Sequence, residues 1–133
     1  YADAGFQGVE FREDLGKRLG WGQGSVVNYA ASKPFDLGIC QGVLPYLSAA
    51  DAKLALRNLA RLSTGALYVE AVAREDFEQD MVDETLTDPR LFKHRAQLYR
   101  QGLDEGFIQL GGGVWLSRKA ELPVFALERA SER

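Results

Sequence analysis

The chain of 133 residues holds one cysteine and one histidine, and its 16 Lys and Arg fall short of its 19 Asp and Glu. With Cys40 as the single thiol, no internal disulfide can form. No run of 18 apolar residues and no charged-apolar-small leader pattern is present, so the chain reads as cytoplasmic, with no membrane partner. A formal net charge of -3 argues against general nucleic-acid affinity, which needs concentrated Lys and Arg, although locally basic faces stay open. No group of His, Cys, Asp and Glu has metal-ligand spacing, so no metal is expected. Gly111-Gly112-Gly113 lacks the Lys-Ser/Thr and the helix that follow in a phosphate loop. Val114-Trp115-Leu116-Ser117 continues it as a strand, so a bulge or close backbone contact is the better reading.

What is present suits one layered domain over residues 1–133: 46% hydrophobic and 26% charged residues can bury a core. Residues 6–11 read as a strand closing on an acid, and Arg12 to Leu19 as a helix. Ser25 to Tyr29 is short and β-branched, and Phe35 to Cys40 is a second short apolar run, so both read as strands. From Ser48 the period changes: Ala52, Ala55, Leu56, Leu59 and Leu62 recur at helical spacing, with Lys53, Arg57 and Arg61 on another face. Ser48 and Asp51 form a cap signal, Thr64-Gly65 a stop signal, and Ala66 to Ala71 the next buried strand. After a polar excursion over 74–87, Asp88-Pro89 predicts a helix to about Asp104 with Leu91, Leu98 and Leu103 inward. Phe107 to Ser117 and Leu122 to Arg129 are expected to be paired antiparallel strands. The sum is an α/β domain.

FDLGICQGVLPYL at 35–47, the helix with its AxxxLxxLAR pattern and the GALYV strand together resemble the central part of class I S-adenosylmethionine-dependent methyltransferases. GFQGVE at 5–10 is similar to that family's second strand, and LDEGF at 103–107 to the element before its last two strands. The resemblance covers about Gly5 to Glu128. It implies a Rossmann-like, mostly parallel sheet with flanking helices, a C-terminal antiparallel hairpin and the order 3-2-1-4-5-7-6. The family's first strand and GxGxG loop have no match, because Tyr1 falls after their position, so the domain is expected to be N-terminally incomplete. Unpaired backbone groups at such a gap cost about 1–3 kcal/mol each, against a domain stability of roughly 5–15 kcal/mol. Three resolutions follow: sequence upstream of Tyr1, a strand donated by a second copy in a homodimer, or closure of the flanking strands. A start at Tyr1 rather than Met favours the first. So does Asp3-Ala4-Gly5, which resembles the end of a preceding helix.

The resemblance implies S-adenosylmethionine as cofactor, held by Glu10 and Phe11 after one strand, Ser25 and Asn28 after the next, and Gln41 and Gly42 after the third. A carboxylate at Glu10 can accept both hydroxyls of a ribose, or be a solvated acid at a strand end. Asn28 can serve an adenine edge or a turn; many relatives carry Asp there. Gly42 lets backbone approach a ligand and Gln41 offers an amide, unless the pair only turns the chain. Tyr46 and His94 border the expected acceptor site, against the alternatives of a packed loop aromatic and a partly exposed helix histidine. Cys40 reads as a small core residue. No catalytic residue is singled out, since methyl transfer from a sulfonium asks for alignment, desolvation and sometimes a base. A small-molecule acceptor is expected first. The competing readings are a non-catalytic binding or dimerisation module and a dehydrogenase-like nucleotide domain, whose GxGxxG is also missing.

Overall fold

The computed structural model describes residues 5–128. Asp3 and Ala4, read above as the end of a helix, lie outside the described residues, as does Arg129. The chain runs β1 (Val9–Glu10), α1 (Glu13–Leu19), β2 (Gly22–Gln23), β3 (Phe35–Gln41), α2 (Ala49–Leu62), β4 (Ser63–Glu70), α3 (Arg74–Glu78), α4 (Ala96–Asp104), β5 (Phe107–Gly111) and β6 (Val114–Ser117).

Two sheets result. β1 and β2 pair in parallel, and a four-stranded sheet has the order β3-β4-β6-β5. β3 and β4 run parallel, and β6 is antiparallel to both β4 and β5. Removing the first strand from the order 3-2-1-4-5-7-6 leaves a pair and a quartet in this arrangement. The flanking strands do not close up: among the described residues β1 pairs only with β2, and β3 only with β4.

The apolar stripe of α2 buries Ala52, Ala55, Leu56, Leu59 and Leu62, and Ser48 caps the helix by accepting the Asp51 amide at 3.1 Å. Leu56, Leu67, Leu103 and Phe107 are sealed completely or nearly so between the quartet and its helices. Each such side chain contributes about 1.5–3 kcal/mol by leaving water. The side chains of β3 alternate: Cys40 lies in this core, whereas Leu37 and Ile39 are 59% and 65% exposed. Trp115 on β6 is in the core, whereas Trp21 caps the small sheet, where a Cβ on Gly8 would stand 2.3 Å from the indole.

Four local readings change. Ser25 to Tyr29 is a turn: the Ser25 carbonyl accepts the Asn28 and Tyr29 amides at 3.1 and 2.7 Å, and its hydroxyl accepts the Val27 amide. The serine's local bonding overrides the β-branched pair, and the strand lies at Gly22–Gln23 instead. Thr64-Gly65 does not stop α2, which passes straight into β4 at Ser63; Gly65 is there for proximity, since a Cβ would meet the Asp36 carbonyl oxygen at 2.1 Å. Helix α4 begins at Ala96 rather than Pro89, because the Asp88 carboxylate accepts the Arg90 amide in a tight turn while the Ala96 amide is capped by Glu75 at 2.9 Å. The antiparallel hairpin is complete within 107–117: Gly111, Gly112 and Gly113 all have positive φ and turn β5 into β6, and no strand occurs over 122–128. A register irregularity between Gln109 and Gly111, and a Cβ position on Gly113 only 2.8 Å from the Val69 carbonyl, agree with the bulge and close contact expected of the glycine run.

The small sheet is tied to the large one through Asn58 on α2. Its amide donates to the carbonyls of Val26 and Tyr29, both at 2.9 Å, and its oxygen accepts from Arg61, which also donates to Tyr29. Replacing it leaves the Val26 carbonyl without this donor. We therefore predict that Asn58→Ala costs about 1–3 kcal/mol and lowers Tm by several degrees in a thermal melt; an unchanged Tm would show that this amide does not hold the two sheets.

Candidate functional site

The carboxyl ends of β1, β2 and β3 carry the residues singled out by sequence. Glu10 closes β1, and one of its carboxylate oxygens accepts the Arg12 amide at 3.0 Å, so the side chain is steadied by its own loop with the second oxygen uncommitted. Phe11 follows and is 75% exposed. Beyond β2, Ser25 spends its hydroxyl on the turn, whereas Asn28 sits in that turn with an exposed side chain. The loop holding Ser25 and Asn28 is the one pinned by Asn58.

At the end of β3, Gln41 donates its amide to Glu70 at 3.1 Å, and Tyr68 donates its hydroxyl to the same carboxylate oxygen at 3.2 Å. The bond to Glu70 holds the Tyr68 phenol above its ordinary pKa. Gly42 then takes φ 65° with its amide on the Glu70 carbonyl, and no atom lies within 4 Å of where a Cβ would project. The backbone at this turn is therefore both left-handed, which favours glycine, and open on its side-chain face. Tyr68 and Glu70 belong to no motif in the sequence, although their i, i+2 spacing in ALYVEA puts both on one face of a strand.

Tyr46 lies in a 3-10 turn over Leu44–Tyr46 and donates to Asp88 at 3.3 Å. Asp88 also accepts from the Arg90 guanidinium, which holds its carboxyl well below the usual carboxylate range. His94 is not on a helix: it precedes α4 in an extended segment, with Nε2 2.8 Å from the Leu47 carbonyl and its ring stacked on Phe92 at 5.6 Å. A carbonyl only accepts, so the proton sits on Nε2, and Nδ1 is the ring atom left to accept. Tyr46 is thus part of the Leu44–Leu47 turn and tied to Asp88, and His94 packs on that turn through the Leu47 carbonyl. Glu10, Asn28 and Gln41 share no hydrogen bond with one another.

No family model matches the chain, and no curated protein matches it. Among solved structures it is similar to the N-methyltransferase NodS from Bradyrhizobium japonicum WM9 in complex with S-adenosyl-L-homocysteine, with a TM-score of 0.57 and 12% identity over 83% of this chain and 65% of that one. It is also similar to magnesium protoporphyrin IX methyltransferase (ChlM) from Synechocystis PCC 6803 with bound S-adenosyl-L-homocysteine, with a TM-score of 0.47 and 17% identity over 79% and 55%. The chain spans less than two thirds of the length of either. The likeness to NodS is one of fold: this chain shares that protein's α/β fold, here with a pair and a quartet of strands. Among the described residues no helix is long and apolar enough to cross a membrane.

Cys40, next to this turn, is 4% exposed, and burial pushes its thiol up to about 11. The thiolate is the reactive form, so at pH 8 iodoacetamide should label the native chain far more slowly than the unfolded chain. Mass spectrometry with and without denaturant checks this; equal rates would mean that the β3 end is open to solvent.

Proposed function

We propose that the chain is the greater part of an S-adenosylmethionine-dependent methyltransferase domain acting on a small molecule. The observation that carries this is the conformation at the end of β3, where Gly42 leaves space on its side-chain face in the fold that NodS shares. The side chains nearby suit the cofactor's chemistry. Glu10 would take the ribose hydroxyls on its uncommitted carboxylate oxygen. Phe11 offers an exposed ring to a planar base, and Ser25 and Asn28 belong to the loop that would read the base edge, Asn28 through an amide able to donate and accept. Gln41 keeps its carbonyl oxygen for an ammonium group while Glu70 orients its amide, and Gly42 lets backbone come close.

The cofactor, when bound, supplies an activated methyl on a sulfonium. What remains for this chain is to orient the acceptor and exclude water. Tyr46, held by Asp88, and His94, held by the Leu47 carbonyl, would border the acceptor. His94 Nδ1 is the atom able to take a proton from an acceptor hydroxyl or ammonium.

A second reading rests on a separate observation: Leu37 and Ile39 are exposed beside an edge of β3 that is unpaired among the described residues. In that reading the chain is a non-catalytic binding or dimerisation module. Calorimetric titration with S-adenosyl-L-homocysteine separates the two. The expected outcome is saturable binding that Glu10→Ala weakens about tenfold or more, the scale of losing hydrogen bonds to a charged group. No heat and no thermal shift at millimolar ligand, with a demonstrably folded protein, would overturn the enzyme reading.

A further inference from the structure

On the helix-covered side of the large sheet, a cavity of about 520 Å³ opens between the end of β4, α3, the first turns of α4 and the β5–β6 hairpin. None of the residues assigned above to cofactor or acceptor lines it. Its volume falls within the range of small-molecule sites. Val69, Leu103 and Trp115 give it an apolar wall, and all three belong to the core.

The polar groups around this wall divide by what they already do. The two carboxylates are engaged: Glu75 takes the Ala96 amide at 2.9 Å and faces Arg95 at 3.8 Å, and Asp76 takes the Ala73 amide at 2.8 Å. Besides the side-chain amides of Gln79, Gln97 and Gln109, which also line the cavity without a hydrogen bond among the described residues, two donors are idle, the buried Tyr99 hydroxyl and the exposed Arg100 guanidinium. Tyr99 is 6% exposed, yet its buried hydroxyl has no hydrogen-bond partner, which is costly for a group removed from water. Burial pushes its phenol up to about 12, so it keeps its proton at neutral pH and has a hydrogen to give. Arg100 also lines the cavity, and no side-chain hydrogen bond or ion pair of it is found among the described residues. An apolar wall beside a guanidinium without an ion pair and a buried hydroxyl without a partner calls for a ligand that brings its own acceptors. From an arginine, the best-matched acceptor is a carboxylate, because the planar guanidinium can hold both oxygens.

We propose that this cavity is a binding site for a small aromatic carboxylate, its ring against Val69, Leu103 and Trp115, its carboxylate on Arg100, and a further acceptor atom satisfied by Tyr99. The site does not depend on the methyl-transfer reading and is tested without any S-adenosyl compound, so the two can fail separately. The probes are 2-naphthoate and its uncharged counterpart 2-naphthamide, followed by amide chemical shifts of the folded chain. The expected result is saturable binding of 2-naphthoate at millimolar concentration or below, with shifts concentrated in α4 and at Gln109 and Gly113. Arg100→Gln should weaken 2-naphthoate about tenfold and leave 2-naphthamide nearly unchanged, since only the carboxylate loses a charged partner. Tyr99→Phe should raise Tm, by removing a stranded hydroxyl, while weakening both probes. A rise in Tm with unchanged affinity would reduce Tyr99 to a packing residue and overturn its part. No saturable shift at about 10 mM naphthoate, or binding indifferent to Arg100→Gln, would overturn the site.

Discussion

An asparagine amide has two donors and one acceptor oxygen, and Asn58 uses all of them where hydrophobic burial would otherwise put an aliphatic side chain. It sits within the buried face of α2 and reaches two carbonyls of the loop after β2, while Arg61 closes the far side of the same loop. A sheet of two strands, each two residues long, has little stability of its own. The arrangement of the expected cofactor loops therefore depends on this polar contact, assisted by Val26 and Val27 packing on the core. A buried polar group of this kind specifies position more sharply than apolar packing can, because its alternatives are unpaired.

The long elements were legible in the sequence because their signals are local and repeat. The 3.6-residue stripe of α2, its serine cap, and the apolar runs of β3 and β4 appear within three residues of the expected bounds. What failed depended on partners distant in sequence. Asp88-Pro89 has every local mark of a helix start, but the chain makes a tight turn there, the Pro45 carbonyl holds the segment that follows by accepting the Phe92 amide, and the true cap for α4 comes from Glu75. Gly65 looked like a stop and is a close approach of two strands. Asn58 could have been suspected, since it occupies the apolar stripe, and a polar side chain there needs partners.

The same distinction separates the two parts of the candidate site. Glu10, Gln41 and Gly42 could be placed because strand ends in α/β sheets are where ligands sit, and strand ends can be read from short apolar runs. Tyr68 and Glu70 join them only through pairing across β3 and β4, in which Gln41 stands opposite Glu70. The Tyr68–Glu70 spacing is visible in β4 alone, but the bond that adds Gln41 forms between strands and shows in neither by itself.

The glycine at position 8 has a consequence for observation. Because it yields room to an indole, Trp21 reports on the small sheet, with 38% of its surface in contact with solvent, while Trp115, 4% exposed, reports on the large one. These are the only two tryptophans in the chain. Each half of the divided sheet thus carries its own intrinsic fluorophore, one expected to emit toward the red and one toward the blue. Their spectra, followed together, distinguish a molecule whose halves come apart in sequence from one that melts as a single unit.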